Sequence, residues 1–193
     1  AVVVPINNFL KPDEVGYILA DAGIEVLITD SELGAHFPAL SAKHQTLKML
    51  NIEESVASGS EIVNPKSQIV NRAEGDLAVI IYTSGTTGPS KGVLSPYLQG
   101  YTTAVVNYGY LQDGECILIN LPMFHVGGTS SITCALVRSG SFYLVEGFST
   151  TQFWNQVREG QCSTTSGLIG VMAAFLSKAE PRADDADNPL KYI

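Results

Sequence analysis

Residues 80–95 read Ile-Ile-Tyr-Thr-Ser-Gly-Thr-Thr-Gly-Pro-Ser-Lys-Gly-Val-Leu-Ser, and this stretch decides how the rest of the chain is interpreted. The apolar run 79–82 is typical of a buried strand. Residues 83–92 then place five hydroxyl side chains and three glycines around a single lysine. Glycine lets the backbone approach a ligand closely, hydroxyls donate hydrogen bonds in adjustable directions, and lysine supplies a point charge. We therefore predict a strand followed by a loop that holds a chain of phosphates. The candidate phosphate-binding residues are Thr83, Ser84, Gly85, Thr86, Thr87, Gly88, Ser90 and Lys91.

Two other phosphate-binding patterns do not fit this loop. A P-loop requires Gly-Lys-Ser/Thr, whereas the residues on either side of Lys91 are serine and glycine. The dinucleotide-binding pattern Gly-x-Gly-x-x-Gly requires a glycine two places before Gly85, where a threonine stands. A flexible Ser/Gly linker stays open as an alternative, because it explains the composition. It does not explain the apolar run before the loop or the apolar pair at 93–94.

Composition and charge limit the class of protein. The chain has 193 residues, of which 45% are hydrophobic, enough to bury a sizeable core in one or two domains. Its net charge of -8 argues against a surface that binds nucleic acid or an anionic membrane. No stretch has the length and apolar character of a membrane span. The three cysteines, Cys116, Cys134 and Cys162, form no metal-binding pattern, so we expect reduced thiols in a cytoplasmic protein.

Apolar strands alternate with amphipathic helices along the chain. Pro12 and the two acids after it are typical of a helix start, and Gly23 of a helix end. Residues 53–72 are polar and indicate a surface excursion. The alternation predicts an α/β fold in which mostly parallel sheets are flanked by helices. Strands are predicted at 1–4, 25–29, 46–50, 78–82, 116–120, 141–145, 162–166 and 190–193, and helices at 12–22, 31–40, 95–108, 150–158 and 167–177.

A second informative stretch, Leu-Pro-Met-Phe-His-Val-Gly-Gly at residues 121–128, follows the strand predicted at 116–120. A histidine at a strand end, with two glycines opening a helix after it, places a ring in a pocket wall and clears space beside it. Two interpretations of His125 are open: a structural residue held by hydrogen bonds, or a residue that lines a ligand pocket. Gly167 begins a turn at the carboxyl end of a strand, where open parallel sheets bind their ligands.

The string Tyr-Thr-Ser-Gly-Thr-Thr-Gly-x-x-Lys-Gly at residues 82–92 resembles the signature of the adenylate-forming superfamily. That superfamily includes acyl-CoA synthetases, luciferases and peptide-synthetase adenylation domains. The Pro-x-Phe-His segment at 122–125 is similar too, and the likeness runs through essentially the whole chain. One departure is that the proline that usually precedes the lysine stands one place earlier, at Pro89. Residues 148–157 resemble the acyl-CoA synthetase branch that includes carnitine and crotonobetaine ligases.

The resemblance implies an AMP-forming ligase that joins a small carboxylic acid to coenzyme A through an acyl adenylate. ATP and Mg²⁺ would bind at residues 83–91, with Thr87 as the candidate metal ligand. His125, Gly127 and Gly167 would border the carboxylic acid. No residue of the chain is assigned a catalytic role.

The same resemblance implies that the chain is part of the large N-terminal domain of this family, in two α/β segments, 1–72 and 73–193. The absence of an initiating methionine suggests a piece of a longer protein. The family's magnesium-binding glutamate, ribose-binding aspartate and mobile C-terminal domain are expected beyond residue 193, so we expect no turnover from the chain alone. We also expect uncovered apolar faces to permit self-association. Two alternatives stay open: a peptide-synthetase or aryl-acid adenylation domain, and a non-catalytic nucleotide-binding module.

Overall fold

The computed structural model describes residues 1–35, 40, 43–44, 46–58, 71–83 and 88–193. Within these residues the strands are β1 Val26–Thr29, β2 Lys48–Asn51, β3 Leu77–Thr83, β4 Lys91–Pro96, β5 Cys116–Ile119, β6 Ser141–Leu144 and β7 Thr164–Thr165. The helices are α1 Pro12–Asp21, α2 Ser31–Gly34, α3 Ile52–Ala57, α4 Tyr97–Asn107, α5 Val126–Val137, α6 Phe153–Glu159 and α7 Gly170–Leu176. The predicted class, an α/β fold with mostly parallel sheets flanked by helices, is confirmed.

The chain divides into two compact units. One consists of Ala1–Ala73 with Val79–Leu94, and the other of Glu74–Ala78 with Ser95–Ile193. The division into segments 1–72 and 73–193, which was inferred from the resemblance to a family, stays a prediction.

Helix α1 of the first unit begins at the residue that the proline and the two acids predicted. Pro12 is its first residue, and the backbone N–H of Lys11 donates to the Glu14 carboxylate at 2.8 Å. After the helix, Gly23 has a φ of 61°, in the left-handed region that favours glycine. The predicted start and end of this helix are therefore confirmed. Its buried face consists of Val15, Ile18 and Leu19.

Strands β1 and β2 pair in parallel, and each runs into a capped helix. The Asp30 side chain accepts from the backbone N–H of Leu33 at 2.7 Å and caps α2. The Asn51 side chain accepts from the backbone N–H groups of Glu53 and Glu54 and caps α3. Residues 53–57 of the excursion predicted at 53–72 lie on the surface, but they form a helix, which the Asn51 cap and two acids in the first turn start. Residues 59–70 lie outside the described residues.

The second unit contains a parallel sheet in the order β6-β5-β7. Successive residues of the central strand β5 pack on opposite sides, because side chains alternate along a strand. Ile117 joins a cluster with residues of α4 and α5, and Leu118 joins a cluster with residues of α6. Both side chains have no exposed surface. Helices therefore cover both faces of this sheet, as the alternation of elements predicted.

Residues 91–96 form strand β4, which pairs with β3, where a loop and the start of a helix were predicted. Helix α4 begins at Tyr97, directly after β4, and Pro96 before it has an extended conformation. The apolar pair at 93–94 was the signal for this strand. Val3 makes a parallel bridge with Val79 on β3, so only one residue of the strand predicted at 1–4 pairs.

The strand predicted at 190–193 is wrong. The backbone N–H groups of Lys191 and Tyr192 both donate to the carbonyl of Ser163, at 2.8 and 3.1 Å. Because two successive donors share one acceptor, the segment cannot form the evenly spaced ladder of a parallel strand.

Within the part of the chain that the structure describes, no helix has both the length and the apolar character needed to cross a membrane.

Candidate functional site

Strands β3 and β4 bring the two ends of the predicted phosphate loop together. Thr83 is the last residue of β3 and Lys91 the first of β4, and the Thr83 hydroxyl donates to the Lys91 carbonyl at 3.5 Å. Gly88 is exposed and Ser90 is half-buried. Four candidate phosphate-binding residues lie outside the described residues, and one of them is Thr87, the predicted metal ligand. They are Ser84, Gly85, Thr86 and Thr87.

The Lys91 ammonium is available to an anion. Its residue is exposed at the start of β4, and none of the ion pairs between described residues involves it. An ammonium that is not paired with any described residue can neutralise a phosphate without first breaking an ion pair among those residues.

Gly92 has a packing role that sequence analysis did not assign. A Cβ at this position would lie 2.8 Å from Ile80 Cγ2 and 3.2 Å from Tyr82 Cζ, both on the neighbouring strand β3. The absence of a side chain at Gly92 therefore lets β4 lie close to β3 immediately after the lysine.

A hydrogen bond between Tyr82 and Asp21 links the end of β3 to the end of α1. The Tyr82 phenol donates to Asp21 Oδ2 at 2.5 Å. Burial, together with this carboxylate, raises the pKa of Tyr82 well above its ordinary range, so the phenol stays a donor. Sequence analysis missed this link, because nothing in the local pattern pairs residues 61 positions apart.

His125 caps the start of helix α5. Its Nδ1 accepts from the backbone N–H of Gly127 at 3.1 Å, and its carbonyl accepts from the N–H groups of Gly128 and Thr129. The neutral ring therefore carries its proton on Nε2. The residue is exposed. The structural interpretation of His125 is confirmed for Nδ1, while the pocket-lining interpretation stays a prediction that concerns Nε2.

Gly127 and Gly167, two of the predicted acid-binding residues, lie against the same side chain. A Cβ on Gly127 would lie 2.5 Å from Leu121 Cδ1, and a Cβ on Gly167 would lie 3.3 Å from the same methyl group. Gly167 also has a φ of 143°, which an L residue rarely adopts. The structure thus brings the His125 segment and the Gly167 turn together at Leu121.

Ser166 holds these two segments by hydrogen bonds. Its hydroxyl accepts from the backbone N–H groups of Asn120 and Leu121, each at 3.1 Å, and donates to Asn120 Oδ1 at 2.7 Å. The carbonyl of Ser166 accepts from the Tyr108 phenol, which also contacts Ser131 Oγ. Ser166 and Asn120 are 5% and 1% exposed, so these groups depend on one another for partners. Asn120, the polar residue directly after the apolar strand β5, was the available sequence signal for this cluster.

The described residues place the candidates in two groups. Thr83, Gly88, Ser90 and Lys91 belong to the first unit, and His125, Gly127 and Gly167 to the second. Over those same described residues, no group of three or more histidine, cysteine, aspartate or glutamate side chains is arranged to hold a metal ion. The predicted metal ligand is a hydroxyl, Thr87, and it lies outside that range.

Comparison with known proteins finds similarity to proteins named as CoA ligases. The chain is 28% identical over 181 residues to a 2-succinylbenzoate–CoA ligase of Geobacillus sp. (strain WCH70), covering 92% of this chain and 34% of that protein. It is 26% identical over 210 residues to a crotonobetaine/carnitine–CoA ligase of Shigella sonnei (strain Ss046), covering 100% of this chain and 40% of that protein. The chain therefore spans between a third and two fifths of the length of these curated relatives.

Solved structures share the fold. The o-succinylbenzoate CoA synthetase (MenE) of Bacillus subtilis, in complex with the acyl-adenylate intermediate OSB-AMP, gives a TM-score of 0.76 at 22% identity. The match covers 98% of this chain and 47% of that one. The same synthetase in complex with ATP and a magnesium ion gives a TM-score of 0.73 at 23% identity, covering 95% of this chain and 37% of that one.

The family profile described as AMP-binding enzyme matches residues 1–193, the full length of the sequence. The chain belongs to the AMP-binding enzyme family.

Proposed function

We propose that the chain is part of an ATP-dependent ligase that activates a small carboxylic acid as an acyl adenylate and transfers the acyl group to coenzyme A. The observation that carries this proposal is the sequence between β3 and β4, whose glycines and hydroxyls end at a lysine that forms no ion pair with any described residue. Family membership supports the same chemistry, and two relatives bear the names of CoA ligases.

The loop would bind the β and γ phosphates of ATP. The proposed ligands are Thr83, Ser84, Gly85, Thr86, Thr87, Gly88, Ser90 and Lys91. Their backbone amides and hydroxyls donate to phosphate oxygens, and Lys91 offsets negative charge that grows on departing pyrophosphate. Thr87 would contribute a hydroxyl oxygen to Mg²⁺, which supplies further charge neutralisation when bound.

The carboxylic acid would lie against the second group of residues. A carboxylate is a poor electrophile, so the enzyme must align its oxygen for attack on the α phosphorus of ATP. His125 would contribute the N–H of Nε2 to this acid, since Nδ1 already accepts from Gly127. Gly127 and Gly167 would border the acyl group together with Leu121, whose side chain packs against both glycines.

The acceptor of the acyl group is proposed from the relatives' names. Both curated relatives are CoA ligases, which favours coenzyme A over the carrier protein of a peptide synthetase. We propose a cytoplasmic location on the same grounds, since ATP and coenzyme A are the proposed substrates.

Replacing Lys91 by alanine tests the phosphate-binding role of the loop. Titration calorimetry with ATP and magnesium chloride should show binding to the unaltered chain. In Lys91→Ala, binding should be about tenfold to a hundredfold weaker, because a hydrogen bond to a charged group contributes about 1.5–3 kcal/mol. Lys178→Ala, an exposed lysine in the second unit, is the matched control and should bind as the unaltered chain does. Equal affinity of the two variants, or no binding by the unaltered chain, would contradict the proposal.

We propose that these 193 residues do not suffice for turnover. The chain spans less than half the length of the relatives it matches, so carboxylate-dependent exchange of pyrophosphate into ATP should be absent from the purified 193-residue chain. Exchange above the rate without carboxylate would show that this part of the proposal is wrong.

A further inference from the structure

Two of the three cysteines lie side by side in the second unit. The sulfur atoms of Cys116 and Cys162 are 3.7 Å apart. Cys116 is the first residue of β5, and Cys162 lies two residues before β7, which is its parallel neighbour. The backbone also joins them closely, because the Cys116 carbonyl accepts from the N–H of Ser163 at 2.8 Å. The sulfurs are in van der Waals contact, and a disulfide of about 2.05 Å requires only a further local approach.

The surroundings hold this pair in place. Cys162 has no exposed surface and packs in a cluster with Leu118, Phe153 and Val157. A Cβ on Gly160 would lie 2.7 Å from the Cys162 sulfur, so the backbone itself confines that atom. Cys116 packs against the same cluster but keeps part of its surface exposed. One thiol of the pair can therefore meet a small reagent, and the other lies behind it.

Cys134 is separate from this pair. It is also fully buried, but it belongs to the cluster that Ile117 joins with residues of α4 and α5. Ile117 and Leu118 point to opposite faces of β5, so the two clusters lie on opposite sides of the sheet. Cys134 therefore serves as an internal control for oxidation of the Cys116–Cys162 pair.

We propose that Cys116 and Cys162 form an oxidation site that hydrogen peroxide converts to a disulfide across β5 and the turn before β7. The Cys116 sulfur attacks one peroxide oxygen, the O–O bond breaks, and Cys116 becomes a sulfenic acid while the other oxygen leaves as water. The Cys162 sulfur then attacks the Cys116 sulfur and displaces the sulfenic oxygen as a second water. Two thiol hydrogens and two electrons pass to the peroxide, so atoms and charge balance.

The order of the two steps follows from exposure. Burial, and then the neighbouring Cys116, raises the pKa of the Cys162 thiol well above its ordinary range, so Cys162 is a poor first nucleophile. Cys116, with part of its surface exposed, is the thiol that the peroxide reaches. This site is independent of the ligase activity proposed above, because neither cysteine belongs to the candidate loop or to the His125 segment.

Oxidation of the folded chain followed by peptide mapping tests the proposal. The chain is treated with excess hydrogen peroxide, remaining thiols are alkylated, and the products are digested without reductant. We expect one cross-linked peptide pair, Cys116 with Cys162, at a mass lower by two hydrogen atoms than the sum of the separate peptides. Alkylation after unfolding should then find one thiol, at Cys134, where the reduced chain has three. The same treatment in concentrated urea should give a lower yield of this pair, because unfolding removes the 3.7 Å contact.

Variants and alternative products complete the test. Cys134→Ala should form the cross-link as the unaltered chain does, whereas Cys116→Ser and Cys162→Ala should form none. Circular dichroism of each reduced variant checks that the variant folds. The peptide map of the unaltered chain tests the proposal even if a variant fails to fold. A cross-link that includes Cys134, a sulfinic acid at Cys116 without a cross-link, or an equal yield in urea would overturn the proposal.

Discussion

At the scale of single residues, Gly128 has no room for a side chain. A Cβ there would lie 2.4 Å from the carbonyl oxygen of Pro122 and 2.8 Å from that of Leu121. Backbone oxygens cannot swing aside as the end of a flexible side chain can. We expect Gly128→Ala to lower the free energy of unfolding by about 1–3 kcal/mol, measured by urea unfolding followed by circular dichroism.

Gly170→Ala is the matched control for Gly128→Ala. Gly170 is the first residue of α7, and no described atom lies within 4 Å of the Cβ that alanine would add. Alanine favours helix over glycine, so this variant should be at least as stable as the unaltered chain. If both variants lost the same stability, the close approach of the Pro122 carbonyl would not be the cause.

Sequence could predict residue types better than residue partners. The glycine-and-hydroxyl pattern at 83–92 and the glycines after His125 were visible as motifs. The capping bond from the Gly127 N–H to His125 Nδ1 was not, because it depends on how the chain turns into α5. The Tyr82–Asp21 bond could not be predicted, because it depends on how two distant elements pack.

At the scale of elements, Ser166 joins the carboxyl ends of β5 and β7. It accepts from two backbone N–H groups that no longer have a partner strand after β7 ends. Ser166→Ala would remove the acceptor of both donors, the buried N–H of Asn120 and the half-buried N–H of Leu121. We expect a loss of about 1–3 kcal/mol in the free energy of unfolding, measured in urea. Ser177→Ala, which removes an exposed hydroxyl that donates to the Ala174 carbonyl of its own helix, should change stability by less than about 0.5 kcal/mol. Similar losses in the two variants would contradict the role given to Ser166.

The ion pair between Glu115 and Lys191 attaches the last residues of the chain to the start of β5. The Lys191 ammonium lies 2.5 Å from Glu115 Oε1, and the N–H of Gln112 donates to the other oxygen at 2.8 Å. Burial alone would raise the pKa of Glu115, but these donors outweigh burial and lower it. A lowered pKa in the folded state contributes stability above the ordinary carboxyl pKa, and that stability is lost as pH falls through the folded value.

Glu115→Gln should therefore be less stable than the unaltered chain at neutral pH, and its stability should fall less on acidification. Thermal unfolding from neutral pH to below the ordinary carboxyl pKa measures both effects. Glu146→Gln, an exposed carboxylate without an ion pair to any described residue, should leave the pH profile unchanged. Parallel profiles for the unaltered chain and Glu115→Gln would show that this pair does not stabilise the fold.

Helices and strands could be predicted where apolar periodicity was strong, as in α1 and β5. Prediction failed where a short element depended on its partner. Strand β4 forms because residues 91–96 pair with β3, and the glycine-rich start of that segment reads as loop when it is taken alone. Helix α3 starts with the Asn51 cap and two acids in its first turn, and it lacks the apolar periodicity that predicts a helix. The last four residues look like a strand in sequence, yet two of their donors go to one carbonyl.

At the scale of the whole molecule, apolar side chains remain on the surface. Among the described residues Phe9, Val56, Val106 and Leu136 are each at least 70% exposed. Exposed apolar side chains favour association, because burial against another copy removes them from water. We expect the purified chain to self-associate, with a weight-average mass in sedimentation equilibrium that rises with concentration above that of one chain.

Val106→Lys places a charge on α4 at a position that is 70% exposed and should weaken this association. Gln99→Lys, on the same helix at an exposed polar position, is the control and should leave the mass profile nearly unchanged. A single-chain mass at every concentration would show that the exposed apolar residues do not mediate self-association.

The capping bond at His125 ties one side chain to the order of a helix end. Nδ1 is the acceptor of the Gly127 N–H, so without the ring the first turn of α5 would lose that acceptor. Replacing His125 by phenylalanine should loosen the amino end of α5 before it affects the other end, and amide hydrogen exchange along the helix would detect that asymmetry.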